Sequence, residues 1–355
     1  MHCHFRRCRN SSPTWPAGRW VRLQSGIPTG YLLLLLRHLL RMERKTSDLI
    51  LGVDIGGTST KIGLVQNGLI LRSDRIPTMG HADEHVFADA IAQCIKHLTN
   101  DIDPSAIGIG APNANHFTQL IEQAPNLPWK NDVPLAQIIS ERTGVPTTLG
   151  NDANAAALGE WKYGAGKGFD DLLVVTLGTG VGGGVIVNGE LVLGSAGNAG
   201  EIGHTTIVMD GRDCTCGRKG CLEAYVSIRG MRRTYDELDG NKDVLKQEGV
   251  QCIADAALAG NYEAMQTFHH TVRWLAVALA NAVATTGPAR IVICGGIARS
   301  GSLLLDPLKE WFRKDLLNIY HDRVDLVLSG LGENEAGILG AAALTFMNKE
   351  LKRSV

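Results

Sequence analysis

The sequence predicts an α/β protein assembled from two similar halves. Three observations carry that prediction. Apolar runs of strand length alternate with segments of helical spacing along most of the 355 residues. The pattern strand, glycine turn, strand occurs twice, as Val53-Asp54-Ile55-Gly56-Gly57-Thr58 and as Val175-Thr176-Leu177-Gly178-Thr179-Gly180. Each copy is followed by a hairpin signal, Asn67-Gly68 in the first and Asn188-Gly189 in the second. A hydrophobic content of 44% against 20% charged residues supplies a core for both halves. The formal net charge of −1 removes any global electrostatic case for nucleic acid or a membrane surface.

The elements follow in chain order. Residues 49–55 read as a strand, 62–65 as a second and 69–75 as a third across the Asn67-Gly68 turn. Residues 86–98 have helical spacing. Residues 106–109 form a strand running into Gly110-Ala111-Pro112-Asn113. A helix over 133–143 stops at Gly144, and a short strand over 147–149 delivers Asn151-Asp152 to an alanine-rich helix over 153–163. The boundary between halves is expected at Gly164–Gly168. The second half then repeats the layout with strands over 172–177, 185–187 and 190–193. A helix over 272–284, a strand over 290–294 ending in Gly295-Gly296, and a final helix over 334–347 complete the chain. The expected domains are residues 48–150, joined by a returning C-terminal helix over 335–355, and residues 151–334.

Residues 1–47 are expected to be a disordered extension. Residues 1–41 hold Arg6, Arg7, Arg9, Arg19, Arg22, Arg37 and Arg41 and no acidic residue. The apolar run from Tyr31 to Leu36 falls short of the roughly 20 residues a spanning helix needs, and no small-residue cleavage site follows it. Met42, followed by Glu43-Arg44-Lys45 and then the first strand, is the expected natural start.

The two glycine turns suit phosphate. Gly56 and Gly57 let the backbone approach an anion, Thr58 and Thr60 offer hydroxyls, and Lys61 adds charge. Asp54 repels phosphate directly, so its natural role is to hold Mg²⁺, through water. Gly178, Thr179 and Gly180 open a formal G-x-G-x-x-G match, but a second hairpin follows instead of a helix, which excludes a dinucleotide fingerprint. No P-loop motif is present. Of eight cysteines, Cys214, Cys216 and Cys221 fall close together after His204, a donor set that suits a closed tetrahedral zinc site in a reducing compartment.

Two hairpin-borne phosphate turns in duplicated halves resemble the actin, Hsp70 and hexokinase superfamily, an actin-like ATPase (ribonuclease-H-like) fold with ATP in the cleft between the halves. Four motifs narrow the resemblance: Asp54-Ile55-Gly56-Gly57-Thr58, Asn151-Asp152-Ala153-Asn154, Gly200-Glu201-Ile202-Gly203-His204, and the run from Cys214 through Cys216 and Cys221 to Glu223. Together they resemble the ROK family of repressors and sugar kinases, over about residues 48–347, and most of all its bacterial ATP-dependent glucokinase branch.

That resemblance implies roles. Asp152 would be the catalytic base toward the sugar 6-hydroxyl, although an N-cap aspartate opening the helix would look the same in sequence. Asn151, Glu201, His204, Glu223 and Asn113 would bind the sugar. His204 would serve twice, with one ring nitrogen on zinc and the other on the sugar. Asp54, Gly56, Gly57, Thr58, Lys61, Gly178, Thr179, Gly180, Gly295 and Gly296 would bind ATP with Mg²⁺. The implied protein is a cytoplasmic homodimer that binds neither nucleic acid nor membrane. Asn113 stands where many family members have glycine, which leaves the hexose open among glucose, fructose, mannose and N-acetylmannosamine. The donor, ATP or polyphosphate, is open too. A sugar-sensing regulator is the reading from another class. The repressor branch carries a helix-turn-helix, and residues 1–41 lack paired amphipathic helices.

Overall fold

The computed structural model describes residues 49–100, 102–124, 127–129 and 131–347. The expectations for residues 1–47 and for the chain beyond Met347 lie outside the described residues. Strands β1 (Leu49–Ile55), β2 (Ser59–Gln66) and β3 (Leu69–Pro77) form an antiparallel ribbon, followed by helix α1 (Glu84–Thr99) and strand β4 (Ala106–Ala111). A small hairpin, β5 (Ala114–Asn115) and β6 (Leu120–Ile121), precedes helix α2 (Leu135–Thr143), strand β7 (Thr147–Asn151) and helix α3 (Asp152–Tyr163). The first sheet has the order β3-β2-β1-β4-β7, with β1, β4 and β7 parallel.

The second half has strands β8 (Leu172–Leu177), β9 (Val181–Val187) and β10 (Glu190–Leu191) as its antiparallel ribbon. A long insertion then carries helices α4 (Glu223–Val226), α5 (Ile228–Glu237), α6 (Lys242–Leu245) and α7 (Gln251–Leu258). Helix α8 (Tyr262–Thr286), strand β11 (Arg290–Cys294), helix α9 (Ser302–Asp315), strand β12 (Asp325–Leu328) and helix α10 (Glu333–Ala343) follow. The second sheet has the order β10-β9-β8-β11-β12, with β8, β11 and β12 parallel. The two sheets thus repeat one pattern of pairing, direction and crossover, and the duplication read from the glycine turns is a duplication of topology.

The helices bury the faces of each sheet. On the first, Phe87, Ile91 and Ile95 of α1 and Ile138 and Ile139 of α2 pack against Leu51, Val53, Ile107 and Ile109. On the second, α8 presents Val272, Leu275, Leu279 and Val283 to Val175, Ile291 and Ile293. Each such side chain contributes about 1.5–3 kcal/mol by leaving water. The opposite faces are covered by exchange. Helix α3 leaves the first sheet and sets Ala155, Ala157 and Leu158 against Leu172, Val174 and Ile186 of the second. Helix α10 leaves the second sheet and sets Ile338, Leu339 and Ala342 against Ile50 and Val65 of the first. Contact this close needs missing side chains. A Cβ on Gly52 would overlap the Ile338 carbonyl, and one on Gly159 would come within 2.9 Å of Gly340 Cα, where α3 crosses α10.

Several boundaries differ from the sequence reading, for local reasons. Helix α2 starts at Leu135, because Val133 pairs with Ile121 and Pro134 serves as N-cap. Helix α8 begins ten residues before Val272: Asn261 caps it by accepting from Ala264 N, and the polar first turns hide the apolar period. Strand β9 includes Gly182, Gly183 and Gly184, which pair with Thr176, Val175 and Val174, so the second glycine turn spans only Gly178–Gly180. The final helix is α only to Ala343 and tightens to 3₁₀ over Leu344–Phe346. No described helix is long and apolar enough to cross a membrane.

Candidate active site

The two glycine turns occupy equivalent places, each joining the first two strands of its sheet. In the first, Gly57 and Thr58 are exposed and the chain recloses through Gly56 N–H to the Ser59 carbonyl, 3.1 Å. Thr60 departs from expectation. Its side chain is fully buried, and its hydroxyl meets Thr78 Oγ1 at 2.8 Å while Thr78 in turn donates to the Gly56 carbonyl. Strand alternation turns residue 60 into the core, so it braces the turn from behind and offers no donor to an anion. In the second turn, Gly178 N–H donates to the Gly180 carbonyl at 3.0 Å, and Thr179 is exposed. Gly295, at φ 92°, lies directly against Leu177, which sets Gly295 and Gly296 beside that turn.

Four carboxylates converge on the space between the turns. Asp54 sits across the β1–β2 ladder from Lys61 and against Gly337 of α10, where a Cβ would collide with its carboxylate. Burial pushes the Asp54 carboxyl up to about 6; Lys61 opposes the shift and the charge of Asp152 adds to it. Asp152 is open to water from the cleft but ringed by protein. Burial raises its carboxyl above the ordinary range, opposed by the hydrogen bond from Ala153 N–H at 2.9 Å. Burial raises Glu201 as well; His204 lowers it, and Asp152 and Glu223 raise it further. The N-cap of α3 is Asn151, whose Oδ1 accepts from Ala153 N and Asn154 N at 2.9 and 3.3 Å. The alternative of Asp152 as that cap is therefore corrected: Asp152 is the first helical residue and its carboxylate is not needed as the cap.

A cavity of about 280 Å³ adjoins this group, lined by Asn113, Asn151, Asn154, Glu201 and His204 among others. Asn113 adopts φ 53°, a left-handed conformation that glycine takes freely and asparagine tolerates, and its amide donates to the Glu122 carbonyl at 3.2 Å. Glu223 is not on that cavity. Its Oε2 accepts from Val181 N–H at 3.1 Å and its Oε1 from Thr215 Oγ1 at 3.1 Å, so it ties the second turn to the cysteine loop. A second cavity of about 460 Å³ begins at Thr179 and continues past Ile228, Arg229 and Gly249. Sequence reading passed over Asn154, Arg229 and Gly249, because the first lies inside a motif used for its neighbours and the others lie in an insertion without a recognised pattern.

The ligand atoms of His204, Cys214, Cys216 and Cys221 all lie within 4.8 Å of one another. Cys216 Sγ and Cys221 Sγ are 3.7 Å apart, and Cys214 Sγ is 3.6 Å from His204 Nδ1. Two sulfurs about 2.3 Å from one tetrahedral Zn²⁺ stand roughly 3.8 Å apart, so three thiolates and this imidazole fit the ion. Burial, with the hydrogen bonds to Cys216 and Cys214, pushes the Cys221 thiol up to about 12, whereas Cys216 is lowered, its burial outweighed by hydrogen bonds from the Arg218 backbone and the neighbouring thiols. His204 turns Nδ1 to the thiols and also lines the cavity.

Comparison with known proteins places this arrangement. The model of the ROK family matches residues 50–347. Glucokinase of Streptomyces coelicolor is 35% identical over 312 residues, 83% of this chain and 97% of that one. Glucokinase of Halalkalibacterium halodurans is 37% identical, covering 82% and 93%. N-acetylmannosamine kinase of Shigella flexneri is 33% identical, over 83% and 97%. Among solved structures, a ROK glucokinase from Streptomyces griseus in complex with glucose and AMPPNP superposes with a TM-score of 0.71 at 35% identity, over 83% of this chain and 98% of that one. A match over nearly all the described residues, with both sheets in the actin-like arrangement, leads to one conclusion: the chain belongs to the ROK family.

Proposed function

We propose that this protein transfers the γ-phosphoryl group of ATP to the 6-hydroxyl of glucose, with Asp152 as general base. It is an ATP-dependent sugar kinase in the first place; the hexose and the residue roles are the finer part of the reading. The observation that carries it is the position of Asp152. It opens α3 beside a cavity of amide, carboxylate and imidazole groups, and within electrostatic reach of both Asp54 and Glu201.

A sugar presents a ring of hydroxyls, each donor and acceptor, and Asn113, Asn151, Glu201 and His204 offer complementary groups. Asp152 takes the proton from the 6-hydroxyl as that oxygen attacks phosphorus, and its raised pKa makes it a stronger base once ionised. The Gly56–Thr58 and Gly178–Gly180 turns cradle the phosphates, and the cavity starting at Thr179 receives the nucleoside. Asp54, with Lys61 beside it, would hold Mg²⁺; a cation there would offset the cost of the buried charge that lifts its pKa. His204, Cys214, Cys216 and Cys221 would hold a structural zinc; with Nδ1 of His204 so engaged, its tautomer would be fixed and the other ring nitrogen left for the sugar. Asn113 adds a side chain at a backbone conformation where glycine serves as well, and this is where hexose preference is set.

A coupled ADP-release assay tests the proposal with glucose, mannose, fructose and N-acetylmannosamine as acceptors and ATP or polyphosphate as donors. Glucose with ATP should give the highest kcat/KM. Preference for another hexose would move the substrate assignment to Asn113 and its neighbours. Tight sugar binding without ADP release would make the protein a sensor and overturn the kinase reading.

A further inference from the structure

The first turn of α3 carries a polar atom that the protein leaves without a partner. Asn154 is 5% exposed, and its Oδ1 is buried with no hydrogen bond from any described group. A buried, unpaired carbonyl oxygen is destabilising, and proteins rarely keep one without a use. The same residue lines the 280 Å³ cavity with Asn151, Glu201 and His204. Its backbone is held in place: Asn154 N–H donates to the Asn151 side chain, and Gly184 of β9, lacking a Cβ, lets the helix lie close at Asn154 Cα. The side chain therefore stands on a rigid base, one helical step beyond Asp152 and Ala153, with an acceptor unused.

We infer that Asn154 is a sugar-recognising residue whose Oδ1 accepts a hydrogen bond from one ring hydroxyl of the bound sugar other than the 6-hydroxyl. The inference rests on the proposed sugar-kinase reading of this cavity. Its consequence is selectivity. An acceptor that only a substrate hydroxyl can satisfy penalises any analogue lacking that hydroxyl, because the orphan then persists in the complex. Asn154 thus acts alongside Asp152: the latter takes the proton, and the former fixes the ring that presents it.

The test is a matrix of kcat/KM values. Wild type and Asn154→Leu, which keeps the side-chain bulk but removes the acceptor, are each assayed with glucose and with its 1-deoxy, 2-deoxy, 3-deoxy and 4-deoxy analogues. The expected result is a loss of about 10- to 100-fold for glucose in the variant. One deoxy analogue should suffer the same loss in wild type, and that analogue alone should show no further loss in the variant. Equal fold-losses across all five sugars would overturn the inference and make Asn154 structural. An unchanged kcat/KM for glucose would overturn it as well. Should Asn154→Leu not fold, as read by its melting curve, Asn154→Ala carries the same matrix. Absence of ADP release by wild type with every sugar would instead overturn the kinase reading beneath it.

Discussion

The two sheets share strand order, strand direction and the place of their glycine turns, yet they equip those turns differently. The first half builds charge into its strands. Asp54 and Lys61 face each other across β1 and β2, and no inserted segment is needed to bring them there. The second half has Thr176 facing Gly182 at the corresponding positions and borrows its charge from outside the repeat. Glu201, His204 and Glu223 all come from the insertion between β10 and α8, and Glu223 reaches back to the N–H of Val181. The comparison teaches a division of labour. Duplication supplies a symmetric frame with two glycine turns, and the asymmetry of the charged groups around them comes from one insertion and from one aspartate at the head of α3.

The comparison breaks most severely at that aspartate. Asp152→Asn should keep sugar binding, measured by calorimetry, and lose about a hundred- to ten-thousand-fold in kcat; near-normal turnover would remove the base role. Asp54→Asn tests the charge built into the first half. It should lower kcat/KM by about a hundredfold and remove from the acid limb of the pH profile the contribution of the Asp54 carboxyl near 6, leaving that of Asp152. The same change should stabilise the ligand-free protein. A carboxyl whose folded pKa is raised binds protons more tightly folded than unfolded, so stability falls as pH rises from the ordinary value of 3.8 to about 6. Above that window the ionised Asp54 costs up to about 3 kcal/mol, which the variant regains, as chemical denaturation at pH 7.5 and pH 4 would reveal.

The borrowed groups of the second half should give the next largest effect. Chelation of zinc, or Cys216→Ser, should raise KM for the sugar about tenfold and lower the melting temperature by about 5 °C or more. Unchanged KM and melting temperature after verified metal loss would separate the cysteine loop from the pocket. The mildest test compares two glycines of one turn. A Cβ at Gly178 meets nothing within 4 Å, whereas one at Gly180 lies 2.7 Å from Glu223 Oε2. Gly178→Ala should stay within about twofold of wild type in kcat/KM, and Gly180→Ala should lose about five- to tenfold by displacing Glu223.

Particular residues show where sequence reading reached and where it stopped. Strands β1, β8 and β11 were legible to the residue, because continuous apolar runs bounded by glycine are read locally. The cysteine cluster was legible because metal donors in so short a span have few other uses. Thr60 was misread because a hydroxyl near a phosphate turn looks like a donor until strand alternation points it inward. Asn154 was invisible as an individual, since an unpaired acceptor exists only relative to everything that fails to pair with it. The exchange of α3 and α10 was half visible: the return of the last helix was expected, but the glycine crossing at Gly159 and Gly340 was not.

The sequence by itself determined what short-range chemistry determines: the repeated turns, most strand positions, the donor set for a metal and the family motifs. Tertiary structure alone decided which groups face one another. It set Asp54 against Gly337, more than 280 positions away, and raised its pKa. It gave the helix cap to Asn151 and left Asp152 free of it, and it turned Glu223 toward the second turn. The physical reason is that pKa values, caps and cavities are sums over neighbours in space, and in this fold those neighbours come from opposite ends of the chain.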